Sequence, residues 1–197
     1  MKLLLATGNR GKVREITEML RDLPIEIVSL REFPHVTPPV ESGKSFAANA
    51  RIKAETYFRQ TGLVTLAEDS GLRVDYLRGQ PGIFSARFAR DGATDAENVR
   101  KLLRLLRGVK TGKRTAHFMC AVAIVDGKNL WTAVGKCKGR IAARASGRSG
   151  FGYDPIFIPK GYRTTFARLG EEAKNKISHR ARALRKARAI LERLLTE

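Results

Sequence analysis

Short apolar runs alternate with amphipathic stretches along the chain. Lys2 to Ala6 predicts a buried strand. Val13, Ile16, Met19 and Leu20 then recur at helical spacing, which predicts a helix over Lys12 to Arg21. Ile25 to Leu30 predicts a second strand, and Arg31 to Pro39, with three prolines, a loop. The alanine-rich stretch Ser45 to Tyr57 reads as a helix. Leu63 to Ala67 and Leu72 to Tyr76 read as two strands separated by Glu68-Asp69-Ser70-Gly71, and Gly79 to Gly82 as a loop. Thr94-Asp95-Ala96-Glu97 is a capping box, in which two side chains satisfy each other's free backbone donors. It opens a helix whose buried stripe is Val99, Leu102, Leu103 and Leu106. Thr115 to Val125 and Leu130 to Cys137 are rich in strand formers and flank Asp126-Gly127, a hairpin signal. Gly147 to Gly152 is a Gly/Ser loop. Ile177, Ala181, Leu184, Ile190, Leu191 and Leu194 predict one long C-terminal helix with a basic outer face.

Alternating strands and helices interrupted by a hairpin indicate an α/β protein: a mixed β-sheet flanked by helices. No boundary divides the pattern, so residues 1–197 are expected to form a single domain, with two lobes around a central cleft as an open variant. A chain of 197 residues can bury a substantial core, and a hydrophobic content of 43% excludes disorder as the main description. The apolar run Met119 to Val125 is far shorter than the roughly 20 residues a membrane helix needs. The N-terminal apolar run is too short for a signal peptide, so the expected location is the cytoplasm. Cys120 and Cys137 have no metal spacing and read as buried reduced thiols. Lys and Arg number 38 against 19 Asp and Glu, a net charge of +19. Such charge suits a polyanionic partner, either nucleic acid or a nucleoside triphosphate.

Four clusters carry candidate chemistry. Thr7-Gly8-Asn9-Arg10-Gly11-Lys12 follows the first strand and opens the first helix. Free N–H groups at a helix start, glycines that admit close approach, and the Lys12 charge make a phosphate cradle. The spacing is not that of a Walker A loop, and a plain strand-to-helix turn is the alternative. Glu68-Asp69-Ser70-Gly71 offers strand-end carboxylates of the kind Mg²⁺ prefers, one of which can also act as general base. An ordinary Asp-Ser-Gly turn is the competing reading. Glu41 is a further candidate ligand or a helix-entry residue. Phe151, between glycines in Ser149 to Pro155, can stack on a base or fold onto the core. Lys174, His179 and Arg180 offer donors to a base or phosphate, or begin a solvated basic face that continues through Arg182, Arg185, Lys186 and Arg188. His35 and His117 read as structural.

Taken together and in this order, the motifs resemble the Ham1/RdgB-like inosine triphosphate pyrophosphatases. The resemblance rests on Thr7-Gly8-Asn9-x-Gly11-Lys12, Asn49-Ala50-x-x-Lys53-Ala54, Glu68-Asp69-Ser70-Gly71-Leu72, Pro81-Gly82-x-x-Ser85-Ala86-Arg87, Gly150-Phe151-Gly152-Tyr153-Asp154-Pro155 and Ser178-His179-Arg180. It runs essentially from end to end. It implies an ITPase-like fold, usually a homodimer, and Mg²⁺-dependent hydrolysis of ITP, dITP and XTP to the monophosphate and pyrophosphate. On this resemblance Thr7, Gly8, Asn9, Arg10, Gly11 and Lys12 hold the triphosphate, with Lys53 against it. Asp69 is general base and metal-associated, with Glu41 and Glu68 beside it, and Ser70 touches substrate. Phe151, Gly152, Tyr153, Asp154, Lys174, His179 and Arg180 form the base pocket. The donor-only Lys174 and Arg180 would favour a 6-oxo acceptor over the 6-amino group of adenine. The excess of basic charge is not a feature that the resemblance explains. Two other functions fit the sequence: a pyrophosphatase for other modified or ordinary nucleotides, and a nucleic-acid-binding protein using the basic C-terminal helix.

Overall fold

The computed structural model describes residues 1–196. Six strands form one mixed sheet: β1 (Lys2–Leu5), β2 (Glu26–Ser29), β3 (Val64–Val74), β4 (Thr115–Val125), β5 (Leu130–Ile141) and β6 (Phe157–Pro159). Their order is β2-β1-β3-β4-β5-β6. β1 runs parallel to both β2 and β3, with Leu3 opposite Ile27 and Val64, and β5 runs antiparallel to β6. The helices are α1 (Arg10–Leu20), α2 (Phe46–Thr61), α3 (Asp95–Leu105), α4 (Phe166–Ile177) and α5 (His179–Leu194). The α/β class with a mixed sheet is therefore as the sequence predicts.

Besides β6, which the sequence does not announce, and β5, which runs on to Ile141, three elements near the candidate site differ from expectation. Glu68 to Gly71 form no turn: β3 runs unbroken from Val64 to Val74. Its second half is held straight by the 3-10 segment Gly82–Arg87, whose Ser85 hydroxyl accepts the Leu72 N–H at 2.9 Å. A Cβ on Gly71 would lie 2.3 Å from that hydroxyl oxygen, so glycine here serves close packing, not a bend. The C-terminal stripe is two helices, not one. Ser178 adopts an extended conformation (φ −66°, ψ 164°) between α4 and α5, and Gly170 (φ 83°) interrupts α4. Lys174 thus lies in the last turn of α4 rather than at the start of the last helix. Finally, α1 begins two residues before Lys12, because the Asn9 side chain caps it.

The chain divides into two compact units, and the division falls inside β3 between Asp69 and Ser70. The first comprises residues 1–69, 120–135 and 180 onward, the second residues 70–119 and 136–179. Each has its own core. In the first, Leu3, Leu5, Ile16, Leu20, Leu66, Val122, Ile124, Leu184 and Leu191 pack together, with α1 and α5 supplying the helical stripes. In the second, Leu72, Val99, Leu102, Leu106, Phe118, Phe157 and Phe166 do so, and Ile177 packs here instead of joining the α5 stripe. Both cysteines are buried, and neither forms a disulfide among the described residues.

Candidate active site

In the first unit, α2 sets the geometry. Ser45 caps its start by accepting the Ala48 N–H. Asn49 and Lys53 are four residues apart, so they project from the same face of the helix. That face meets Asp69 on β3. Asn49 Nδ2 donates to Asp69 Oδ2 at 3.2 Å, and Lys53 Nζ lies 3.6 Å from Asp69 Oδ1. Lys53 also reaches Glu41 Oε1 at 3.3 Å, while Asn49 Oδ1 accepts the Gly43 N–H at 2.8 Å. One helix turn thereby gathers Glu41, Lys53 and Asp69. Burial pushes the Asp69 carboxyl above its usual range, only partly offset by Lys53 and Lys12, and the nearby Glu41 charge pushes it the same way. A carboxylate so placed is a stronger proton acceptor than one in water.

Behind Asp69 lies a buried charge network. Arg180 is 1% exposed. Its Nε and Nη2 donate to Glu68 at 2.8 and 3.1 Å, and its Nη1 donates to Glu15. Lys12 Nζ pairs with Glu68 Oε1 at 2.9 Å, the oxygen that also receives Arg180 Nη2, and the Cys120 thiol donates to Glu68 Oε2 at 2.9 Å. Burial alone would raise the Glu68 carboxyl, but Arg180 and Lys12 overcome it and hold the group well below the usual carboxylate range. Burial opposes the Lys12 charge, yet Glu68 keeps its pKa above the ordinary lysine value. The Cys120 thiol is pushed far up by burial and then by Glu68, so it stays protonated. Arg180 is thus held by carboxylates of the first unit.

The Thr7–Lys12 segment leads into α1. Thr7 Oγ1 accepts the Asn9 N–H, and Asn9 Oδ1 accepts the Lys12 N–H at 3.0 Å. The Arg10 and Gly11 N–H groups belong to the first turn of α1, where no carbonyl of the helix is in place to receive them. Neither Gly8 nor Gly11 is among the residues with positive φ, so no sharp glycine turn is present. What glycine provides at position 8 is open space: a Cβ there would meet nothing within 4 Å.

In the second unit, Lys174 is 3% exposed and donates to Asp154 Oδ2 at 2.5 Å. The same oxygen accepts the Phe151 N–H at 2.9 Å. Lys174 Nζ also sits 4.3 Å from the centre of the Phe151 ring, a cation–π contact. Gly150 is required here, since its φ is 81° and a Cβ would lie 2.2 Å from Asp154 Oδ2. Asp95, in the first turn of α3, accepts the Gly152 N–H at 2.6 Å, and Tyr153 donates its hydroxyl to the Ser85 carbonyl at 2.9 Å. Phe151, Gly152, Tyr153, Asp154 and Lys174 are thus one connected group. His179 stacks on Phe118, with ring centres 4.6 Å apart. Ser70 follows Asp69 on β3 and is half-buried.

Among the described residues no three His, Cys, Asp or Glu side chains gather as a metal cluster. Asp69 and Glu41 remain as a pair of hard oxygen donors sharing Lys53. That set fits Mg²⁺, which takes one or two carboxylates and fills its octahedron with water and substrate phosphate. Glu68 fits less well, because Arg180, Lys12 and Cys120 already occupy its oxygens. Asn49, Glu15 and Asp95 are participants for which sequence reasoning had no role. Asn49 lay inside a quoted motif, and Glu15 stood next to the apolar stripe of α1, which is the signal for a buried charge.

Comparison with known proteins then fixes the class. A family model described as the Ham1 family matches residues 3–190, and the chain belongs to that family. The chain is 49% identical over 195 residues to the dITP/XTP pyrophosphatase of Desulforamulus reducens, covering 98% of this chain and 97% of the relative. It is 44% identical to the dITP/XTP pyrophosphatase of Bacillus licheniformis, covering 97% and 98%. Among solved structures, a HAM1 protein from Coxiella burnetii superposes with a TM-score of 0.89 at 39% identity, covering 98% of this chain and 99% of that one. No helix among the described residues is long and apolar enough to cross a membrane.

Proposed function

We propose that this chain hydrolyses noncanonical purine nucleoside triphosphates (ITP, dITP and XTP) to the monophosphate and pyrophosphate, as one Mg²⁺-dependent catalytic domain. The observation that carries this reading is the Asp69 carboxylate, buried and held between Asn49 and Lys53, in a chain 49% identical to a dITP/XTP pyrophosphatase. Asp69 accepts a proton from water as the water oxygen bonds to phosphorus. The bond to the bridging oxygen breaks and pyrophosphate leaves. Lys53, Lys12 and the N–H groups of the first turn of α1 offset the negative charge of the phosphates, which is most of what a phosphoryl-transfer site must supply. Asp69 and Glu41 would hold Mg²⁺, which when bound neutralises phosphate charge.

Lys174 and the Phe151 ring are the base-reading groups in this proposal. Lys174 has three donors and no acceptor, and Asp154 takes one of them. A 6-oxo group can receive another, whereas the 6-amino group of adenine leaves it unpaired. Arg180 serves this site electrostatically: it keeps Glu68 ionised, and Glu68 in turn orients Lys12. Homodimer assembly and a pool-cleansing role in the cytoplasm belong to the same reading.

The test is to incubate the protein with ITP, XTP, GTP, ATP, CTP and UTP, with Mg²⁺ or with a chelator, and to measure pyrophosphate and orthophosphate. Pyrophosphate from ITP and XTP, abolished by the chelator, supports the reading. Equal turnover of ATP or CTP would point instead to a broader nucleotide pyrophosphatase. Light scattering on the same sample tests the dimer.

A further inference from the structure

The charge that the catalytic reading leaves unused is concentrated in one segment. Residues 100–114 carry seven basic side chains and no acidic one, so they contribute 7 of the net 19 positive charges. This segment is the second half of α3 and the turn after it. With Arg90 it lines a surface cavity of about 790 Å³ in the second unit, where Glu97 is the only acidic lining residue.

The cations around this cavity fall into two sets. Arg90 pairs with Glu97 at 2.8 Å. Lys101 donates to the Phe88 carbonyl at 2.5 Å and lies over the Phe88 ring. Arg114 is buried and donates to the carbonyls of Val109, Ala142 and Leu106, closing the end of α3. Arg100, Arg104 and Arg107 are different. All three are exposed, and among the described residues none of their side chains makes a hydrogen bond or ion pair. Arg100 and Arg104 lie four residues apart on one face of α3, a rise of roughly 6 Å along the axis, and Arg107 follows in the turn after the helix. Like charges at this spacing repel, and among the described residues no acidic side chain pairs with them: Glu97, in the same cavity, is taken by Arg90.

The C-terminal helix, the basic face that the sequence brings forward, behaves in the opposite way. Arg188 binds Asp22 through both terminal nitrogens, at 2.6 and 2.9 Å, and Glu192 through Nε at 2.7 Å. Lys186 donates to the Val134 carbonyl at 2.8 Å, and Arg193 packs over Trp131. Arg182 and Arg185 are engaged as well. The basic face of α5 is consumed within the fold, and that of α3 is not.

We infer that the basic surface made by Arg100 and Arg104 of α3 and by Arg107 in the turn after it is a docking surface for the phosphodiester backbone of nucleic acid, separate from nucleotide hydrolysis. Guanidinium forks match phosphate oxygens two at a time, which lysine does not do. Three neighbouring charges around one cavity suit a polyanion with charges at intervals of several Å rather than a single small anion. A protein partner would ask for an apolar centre to the patch; here only Leu103 and small residues line the cavity besides its charges. A second copy of this chain would set like charges against each other.

The experiment is fluorescence anisotropy of labelled duplex DNA and RNA with the full chain, between about 50 and 200 mM salt. R100Q/R104Q/R107Q is compared with R31Q/K128Q/R163Q, a triple of equal charge change at exposed positions elsewhere. The wild type and the control triple are expected to bind with a common log–log salt slope. The patch triple should lose about 2 to 3 units of that slope, near 0.9 per phosphate contact, with ITP hydrolysis unchanged. R100K/R104K/R107K should keep the slope, which separates lost charge from lost fold. Absence of binding by the wild type at the lowest salt would overturn the inference. So would equal losses in the two glutamine triples, or preference for anionic vesicles or polyglutamate over nucleic acid.

Discussion

Asn49 donates to Asp69 Oδ2 at 3.2 Å while receiving the Gly43 N–H on its own Oδ1 at 2.8 Å. One amide side chain therefore fixes both the proposed base and the loop that carries Glu41. Asn49→Ala is expected to lower kcat for ITP by about 10- to 100-fold, the usual cost of losing such a support, with a much smaller change in KM. A fall in thermal stability that accounts for the whole loss would instead make Asn49 a packing residue only.

Arg180 bridges Glu15 and Glu68 in the interior. Arg180→Met leaves two buried carboxylates without their partner and is expected to destabilise the chain by about 3–5 kcal/mol in urea unfolding at neutral pH. Because the native Glu68 carboxyl lies well below the ordinary value of 4.5, its contribution is complete above that value and is lost as pH falls below it. The gap between wild type and variant should accordingly shrink in acid.

Glu97 gives the most direct pH readout. Bonds from the Thr94 backbone N–H, from Arg90 and from the Thr94 hydroxyl lower its pKa from 4.5 to about 2. This capping box contributes stability that is full above 4.5 and disappears as pH falls toward 2. A carbon-detected NMR titration of the Glu97 carboxyl should show a midpoint near 2. A midpoint at the ordinary value would mean that the box is open in solution. The same turn holds Asp95 against Gly152, so opening it would also loosen the Phe151 loop.

Lys174 sits against Phe151 and Asp154. If it reads the 6-oxo group, Lys174→Met should lower the ITP-to-ATP preference in kcat/KM by about tenfold to a hundredfold, the worth of roughly 1–3 kcal/mol for an unpaired buried donor. An unchanged preference in a folded variant would move the discrimination to another group.

Local signals in the sequence were sufficient for much of the fold. The strand–helix–strand start, the Thr94 capping box and the hairpin flanking Asp126-Gly127 all depend on residues near one another in the chain. Glu68 to Gly71 read as a turn because Asp-Ser-Gly favours turns, yet Ser85, thirteen residues or more away, holds that segment in a strand. The break at Ser178 escaped because apolar spacing continued across it. The site was legible as motifs but not as partnerships. The Arg180–Glu15 pair spans 165 residues of sequence, and no local pattern encodes such a contact. The Arg188–Asp22 pair, 166 residues apart, is hidden from the sequence for the same reason, whereas Arg188–Glu192 is an i,i+4 pair that helix spacing makes visible.

The most direct measurement compares wild type with Asp69→Asn in Mg²⁺ and ITP, following pyrophosphate and orthophosphate separately. The wild type is expected to release pyrophosphate with no orthophosphate, and the variant to do so at least about 100-fold more slowly, as befits removal of a general base. Equal rates in the two proteins, or orthophosphate as the product, would contradict the assignment of Asp69 and of the reaction.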